Sequence, residues 1–376
     1  MATIDDKCLA FSSETYDKVS ELLDEISTRD PGSAIMCAQI AGLMIGYIHH
    51  YKDDHWRVEA VEEEFILPVV SPVTGRARRN WVMVGKKDAR ATERLPTDGD
   101  QTQPRRLIIE HKTTSESLDA DGQFWRRTIH DTQISHYLLS EWMEGRSDGV
   151  LYDVIRKPTI RPKVVPATQK DSEAGTKDEI LTNGTYYGFP VPDTAIASET
   201  CGAPQPPFLY FARVAHVVMS DPDKYFARRI ITRSNSQLVE HAQTLVSVTK
   251  DIDIAYKEKR HYKNRASCFM YHRVCPFYDL CGGNDSPSSE NWVQGHAHPE
   301  LSDSVRHSGS HAISNSRLKT FQACRKKEYW KYGLGLKRSD GSFESPALYF
   351  GTVFHQAMEL YWNSFGEEEE ANNDDS

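Results

Sequence analysis

The chain has 376 residues, of which 39% are apolar and 26% charged, with a net charge of −9. That length allows one elaborated domain or two ordinary ones, and the apolar share sits below the usual ~45–50%, which points to large polar loops around a modest core. No run approaches the roughly 18 apolar residues of a membrane span, and MATIDDKCLAFSSETYDK lacks the charged-then-apolar order of a signal peptide, so a cytoplasmic protein without membrane contact is expected.

Taken in chain order, residues 13–29 and 34–51 carry helical patterns, and AIMCAQIAGLMIGYIHHY is apolar enough to pack deep in a core. WRVEAVEEEFILPVV (56–70) turns towards strand character, SPVTG is a turn, and WVMVGKKDA reads as the next strand. The polar stretch RATERLPTDGDQTQP reads as a loop, and RRLIIEHKTT as a short buried strand. A helix is expected over 123–144, then a strand, GVLYDVIRKP, ending at Pro158. Residues 159–207 are rich in Pro, Thr and Gly and carry no clear element; FLYFARVAHVVMS reads as a strand and 221–260 as mostly helix. Residues 286–310 have the composition of a linker. A second folded patch opens with ISNSRLKTFQACRKKEYWKYGLGL, a turn-rich stretch follows, and ALYFGTVFHQAMELYW is an amphipathic helix. The closing EEEEANNDDS (367–376) reads as a disordered acidic tail.

The negative total does not exclude a nucleic-acid partner, because carboxylates in a metal site or a tail count without touching the polyanion. Basic residues recur in clusters: Arg76, Arg78 and Arg79; Lys86 and Lys87; Arg126 and Arg127; Arg325, Lys326 and Lys327. Each alone is an ordinary solvated face; together they suit a phosphate-tracking groove.

Glu110 and Lys112 stand two apart in LIIEHKTT, so strand period puts both on one face with Ile109 and His111 on the other. Asp88 ends the preceding strand, twenty-two residues upstream of Glu110, where a hairpin-like connection brings it alongside. Two carboxylates and an ammonium on one sheet surface suit phosphodiester hydrolysis with Mg²⁺ or Mn²⁺. A bare E-x-K pair is also a common surface ion pair. Here Leu107, Ile108 and Ile109 make the strand central, and Gln133 and Tyr137 stand four apart on one helical face downstream.

A D…E-x-K pattern followed by a Q-x-x-x-Y helix resembles the PD-(D/E)XK nucleases, in particular their RecB-like and AddB-like branch with an iron–sulfur cluster. The resemblance implies a restriction-endonuclease-like α/β fold, a mixed central sheet flanked by helices, and DNA as substrate. Asp88, Glu110 and Lys112 would be catalytic, with Gln133 and Tyr137 positioning strand and lysine. A G-T-x-x-H element occurs once, in GTVFHQAMELYW, and gives His355 as a further metal ligand beside Asp88 and Glu110. The resemblance also implies recombination, repair or phage DNA processing in a prokaryotic or phage setting, with any helicase or recombination partner a separate protein. This chain has no G-x-x-x-x-G-K-S/T loop, G-x-S-x-G elbow or H-E-x-x-H pair of its own.

Cys268, Cys275 and Cys281 have a C-x6-C-x5-C spacing, one ligand short of a tetrahedral site. The family's missing cysteine lies just before its histidine helix, which matches Cys324. Four thiolates suit a 4Fe–4S cluster or a structural Zn²⁺, and the resemblance favours iron. Cys8, Cys37 and Cys201 have no partner pattern.

In the family the first cysteine and the histidine open the domain; here they come last, at 313–362. One domain in circularly permuted order is the reading taken: 1–285 as the main part, 286–310 as linker, 311–366 completing it. A first copy followed by a truncated second copy is the alternative. From other classes, a catalytically inert DNA-end-binding or scaffold subunit and a zinc-stapled interaction module remain as rivals.

Overall fold

The computed structural model describes residues 6–54, 56–93, 104–145, 147–163, 184–191, 206–270, 273–298, 301, 311–340 and 346–374. Helices α1 (Asp6–Arg29) and α2 (Ala34–His50) lead into three antiparallel neighbours, β1 (Trp56–Val70), β2 (Ala77–Glu93) and β3 (Arg106–Thr114). Helices α3 (Gln123–Thr128) and α4 (Thr132–Glu144) then cross to β4 (Gly149–Arg156), which lies parallel to β3. A small hairpin, β5 (Thr185–Tyr186) and β6 (Phe189–Pro190), precedes α5 (Pro207–Ser220), β7 (Phe226–Ile231, antiparallel to β4) and α6 (Asn235–Lys257). The result is a mixed central sheet flanked by helices, the α/β architecture expected from the motifs.

Strand alternation sorts the two layers. Leu107 and Ile109 of β3, with Leu151 and Ile155 of β4, join the cluster of α1, α2 and α5. Ile108, Val150, Tyr152 and Val154 join the cluster of α3, α4 and α6 on the other face. Both central strands are buried on two sides and read as near-continuous apolar runs for that reason.

Several local expectations are corrected. FLYFARVAHVVMS is helix α5, not a strand. Its β-branched residues suggested a strand, but Gly42 and Gly46 of α2 leave no room for side chains, so that Val214 and Val218 of α5 lie against bare backbone. Residues 226–231, expected within a helix, form edge strand β7. The helix over 123–144 is broken at 129–131, where Asp131 caps α4 by accepting the N–H of Gln133 at 3.0 Å. Pro31–His50 is long and apolar enough to cross a membrane by composition, contrary to the expectation from sequence; here Ile40, Leu43, Met44 and Tyr47 of that stretch are fully buried in the helical layer. The helical backbone of the last helix runs on to Asp374, so the acidic segment up to there continues a helix rather than unfolding.

The interval 286–310 is no plain linker. A hairpin, β8 (Phe269–Met270) and β9 (Arg273–Val274), and the short helix α7 (Tyr278–Gly282) precede it; within it β10 (Trp292–Gln294) pairs with β12 (Leu336–Arg338), and Trp292 stacks on Phe277 at 5.3 Å. Residues 302–310 lie outside the described residues, as do most of 159–207, Cys201 and the side chain of Cys8.

Residues 311–374 are woven into the same body. β11 (His311–Ile313) runs parallel to β2 at Trp81–Met83, next to the stretch where β3 pairs with Ala89–Thr92. α8 (Asn315–Ala323) joins the α4 and α6 layer, the short α9 (Arg325–Glu328) follows it, and α10 (Pro346–Asp374) joins the α1 and α2 layer. Phe354, Met358 and Trp362 of α10 are wholly buried, with Trp362 against Trp56 and His111. Trp362→Ala should therefore destabilise the whole chain by about 3–5 kcal/mol, read as one cooperative shift in a urea transition; loss of α10 alone, with the rest unfolding as in the unsubstituted chain, would contradict this packing.

Candidate active site

Pairing between β2 and β3 stops at Ala89 and Ile109, and the strands diverge beyond that point. Asp88 fills the split: its Oδ2 accepts the backbone N–H of His111 at 2.8 Å, in place of a ladder carbonyl. Glu110 is 1% exposed and Lys112 lies on the same face, donating to Glu110 Oε1. His111 points the other way, against Trp362, as strand period requires.

Helix α4 supplies the opposite wall. Gln133 Nε2 donates to Glu110 Oε1 at 2.9 Å and to the Tyr137 hydroxyl at 2.9 Å, while its Oε1 accepts from Lys112 Nζ at 3.1 Å. Tyr137 donates to the carbonyl of Lys86 at 2.6 Å, tying the helix to β2. Glu110 Oε2 is buried and has no hydrogen-bond partner among the described residues. Burial, with the Asp88 carboxylate beside it, pushes the Glu110 carboxyl up to about 7. Burial also raises Asp88, against the pull of His111 and Lys112. Burial alone would lower Lys112, but Glu110 and Asp88 outweigh it and hold the ammonium above its ordinary value.

His355 arrives from α10, with Nδ1 3.6 Å from Asp88 Oδ2. Burial, then repulsion from His111, lowers it to about 4, so the imidazole is neutral and able to donate a lone pair at neutral pH. An open cleft of about 850 Å³ is lined by Lys112 and His355 together with Glu62, Lys86, Thr114, Lys157 and the first turns of α10; Asp88 and Glu110 lie buried behind those two. All six candidates read from sequence (Asp88, Glu110, Lys112, Gln133, Tyr137 and His355) thus meet in one place.

Sequence reading missed a second buried network behind the site. His111 Nδ1 is 3.1 Å from Asp153 Oδ2, Arg228 Nε is 3.3 Å from Asp153 Oδ1, and Tyr47 donates to the same carboxylate. Burial would raise Asp153; Arg228, His111 and Tyr47 together hold it below its ordinary value. The one available signal was Asp153 inside the otherwise apolar run GVLYDVIR.

The donor set fits a hard divalent cation: two adjacent carboxylates, one with an orphaned buried oxygen, and a neutral imidazole. Among the described residues no three His, Cys, Asp or Glu side chains stand close enough to hold an ion as they are placed, neither here nor at the cysteines; in the cleft Glu110 Oε1 is turned to Lys112 and Gln133.

The four cysteines lie around one small module. Cys275 N–H donates to the Cys268 carbonyl at 2.7 Å, and Cys324 Sγ accepts the N–H of Asn264 at 3.4 Å. Cys275 and Cys281 pack on Phe277, Trp292 and Trp330, and the Trp330 indole N–H donates to Cys281 Sγ at 3.4 Å. Cys37 is buried elsewhere, beside Ser33.

The family model of the PD-(D/E)XK nuclease superfamily matches residues 312–376, the segment that holds Cys324 and His355. No curated protein and no solved structure matches the chain.

The seat of α4 carries a pH dependence. His136, between Gln133 and Tyr137 in sequence, has Nε2 3.0 Å from the Val84 carbonyl and Nδ1 3.3 Å from His241 Nε2 on α6. Burial lowers His136 to about 4 and, with repulsion from His136, lowers His241 to about 3. Unfolded imidazoles take up protons near 6.5, where the folded pair does not. Their contribution is complete above about pH 6.5 and is lost as pH falls towards 4. The thermal midpoint should fall over that window, and His241→Gln should flatten the fall; an identical slope in H241Q would exonerate the pair.

Proposed function

We propose that this protein is a Mg²⁺- or Mn²⁺-dependent deoxyribonuclease of RecB-like type, acting on DNA ends as an exonuclease. The observation that carries the reading is the orphaned, buried Glu110 Oε2 beside Asp88, with Lys112 and His355 in contact with these carboxylates and lining the cleft. Asp88, Glu110 and His355 would hold the cation. When bound it supplies positive charge that polarises the scissile phosphate. Lys112, kept protonated by its carboxylate neighbours, offsets the charge that develops on the phosphate oxygens. Gln133 holds Lys112 and Glu110 in register, and Tyr137 anchors Gln133 to β2. Lys86 and Lys157, on two walls of the cleft, suit backbone phosphates on either side of the reacting one.

Residues 311–366 are read as completing this one domain in permuted order. The support is that β11 lies beside β2 and that His355 reaches Asp88 from α10. A truncated second copy would have no reason to bury Trp362 against His111 of the first.

Cys268, Cys275, Cys281 and Cys324 are read as ligands of one 4Fe–4S cluster, with a structural Zn²⁺ as the alternative. Their fit rests on thiols free of disulfides, on the Cys275 N–H donating to the Cys268 carbonyl, and on Cys275 and Cys281 packing against the same aromatic residues.

Two experiments test these readings. Lys112→Ala should abolish cleavage of end-labelled DNA with Mn²⁺ while the chain still folds and binds DNA near the affinity of the unsubstituted chain; wild-type cutting by K112A would end the assignment. Anaerobically purified protein should carry iron and acid-labile sulfide, and Cys324→Ser should remove both as fully as Cys275→Ser, with Cys37→Ser inert. One zinc per chain without iron would keep the four-cysteine site and discard the cluster.

A further inference from the structure

The segment 257–278 differs from the rest of the chain in charge and in what it shows to solvent. It carries six Lys and Arg against the single Glu258, a local charge of +5 in a chain of −9. Within it Tyr262 and Phe269 are 60% and 62% exposed, and Met270, Val274 and Tyr278 are exposed as well. Solvated loops rarely show several large apolar side chains together; an exposed patch of this kind marks a binding surface.

The arrangement is ordered. Strands β8 (Phe269–Met270) and β9 (Arg273–Val274) form a hairpin, and the Phe269 ring meets Tyr278 edge-on at 5.4 Å. Arg325 lies over the Tyr262 ring at 4.7 Å, and Arg265 and Arg273 are exposed between the aromatic residues. The module is fixed to α8: Asn264 Nδ2 and Ser267 Oγ both donate to the Ala323 carbonyl at 2.8 Å. Four residues earlier in α8, Lys319 reaches Asp131, the cap of the helix that bears Gln133. Those two anchor points are about 6 Å apart along the helix axis, so one helix ties this module to the cap of α4.

We propose that this aromatic and basic surface binds single-stranded nucleic acid, with bases stacked on Phe269 and Tyr262 and phosphates held by Arg265 and Arg273. The charge selects a polyanion; the exposed rings select one with unstacked bases, which a duplex does not offer. Metal at the four cysteines and cutting in the cleft are separate properties, and the binding does not depend on either reading.

The test is fluorescence anisotropy of the full chain with labelled dT20 and U20 in EDTA, where no cleavage can occur. Phe269→Ala and Tyr262→Ala should each weaken binding about five- to 100-fold, the worth of one stacked base, and Phe269→Trp should restore it. Arg265→Gln with Arg273→Gln should make the slope of log affinity against log salt shallower by about 1.4, two phosphates' worth. A blunt 20-base-pair duplex should bind more weakly than dT20 and be insensitive to F269A. If F269A and Y262A bind dT20 and U20 as the unsubstituted chain does, the proposal is overturned; so it is if they abolish self-association in sedimentation while leaving oligonucleotide affinity unchanged. Should K112A and the unsubstituted chain both fail to cut DNA yet bind dT20 through Phe269, only the nuclease reading falls.

Discussion

Two carboxylates, Asp88 and Glu110, are held next to each other inside the protein, one in the split between β2 and β3 and the other on β3 itself. Desolvation and mutual repulsion both oppose that placement, and an isolated buried charge costs several kcal/mol. Much of the surrounding structure answers this one constraint. Lys112 and Gln133 engage a single oxygen of Glu110, a backbone N–H engages Asp88, and the other Glu110 oxygen finds no hydrogen-bond partner among the described residues. Fully satisfying Glu110 would have needed only one more donor. A carboxylate left short in this way gains most from a cation, which ties the strain of the fold to the proposed chemistry.

The second network explains why the strand can tolerate the arrangement. Asp153 and His111 face the opposite side of β3 and β4, and Arg228 from edge strand β7 balances them together with Asp54 and Tyr47. The strand carrying Glu110 is thus pinned on both faces by polar contacts rather than by apolar packing alone. Removing one partner from such a buried set costs more than the pair contributes when intact, because a charge is left unpaired. β7 therefore matters to the candidate site without touching the cleft.

What the sequence made legible follows from how local each signal is. The period-two placement of Glu110 and Lys112, and the four-residue spacing of Gln133 and Tyr137, depend only on backbone geometry, and both hold. FLYFARVAHVVMS misleads because its β-branched residues favour a strand in isolation; the deciding fact, two glycines on α2 spaced to receive Val214 and Val218, lies some 170 residues upstream. FARRII is too short and too charged to announce a strand, since Arg228 is matched by Asp54 and Asp153 and Arg229 by the Ala120 carbonyl, all brought from elsewhere. The interval around Trp292 looks like a linker by composition, yet one tryptophan stacked on Phe277 and a three-residue pairing with β12 give it a place.

The C-terminal segment joins fold stability to site assembly. α10 buries Phe354, Met358 and Trp362 in the first helical layer, and His355 lies on the same turns as those residues. Burying each such side chain is worth about 1.5–3 kcal/mol, far more than one imidazole–carboxylate contact contributes. The apolar stripe is therefore what docks the helix, and the imidazole is carried to Asp88 by that docking. On the other face, α8 carries Lys319 to Asp131, and Asp131 in turn fixes the first turn of α4 and so the height of Gln133. One stretch of chain thus sets both walls of the cleft, α10 directly and α4 through its cap. A change in either docking surface would reach the catalytic candidates even though none of the substituted residues touched them.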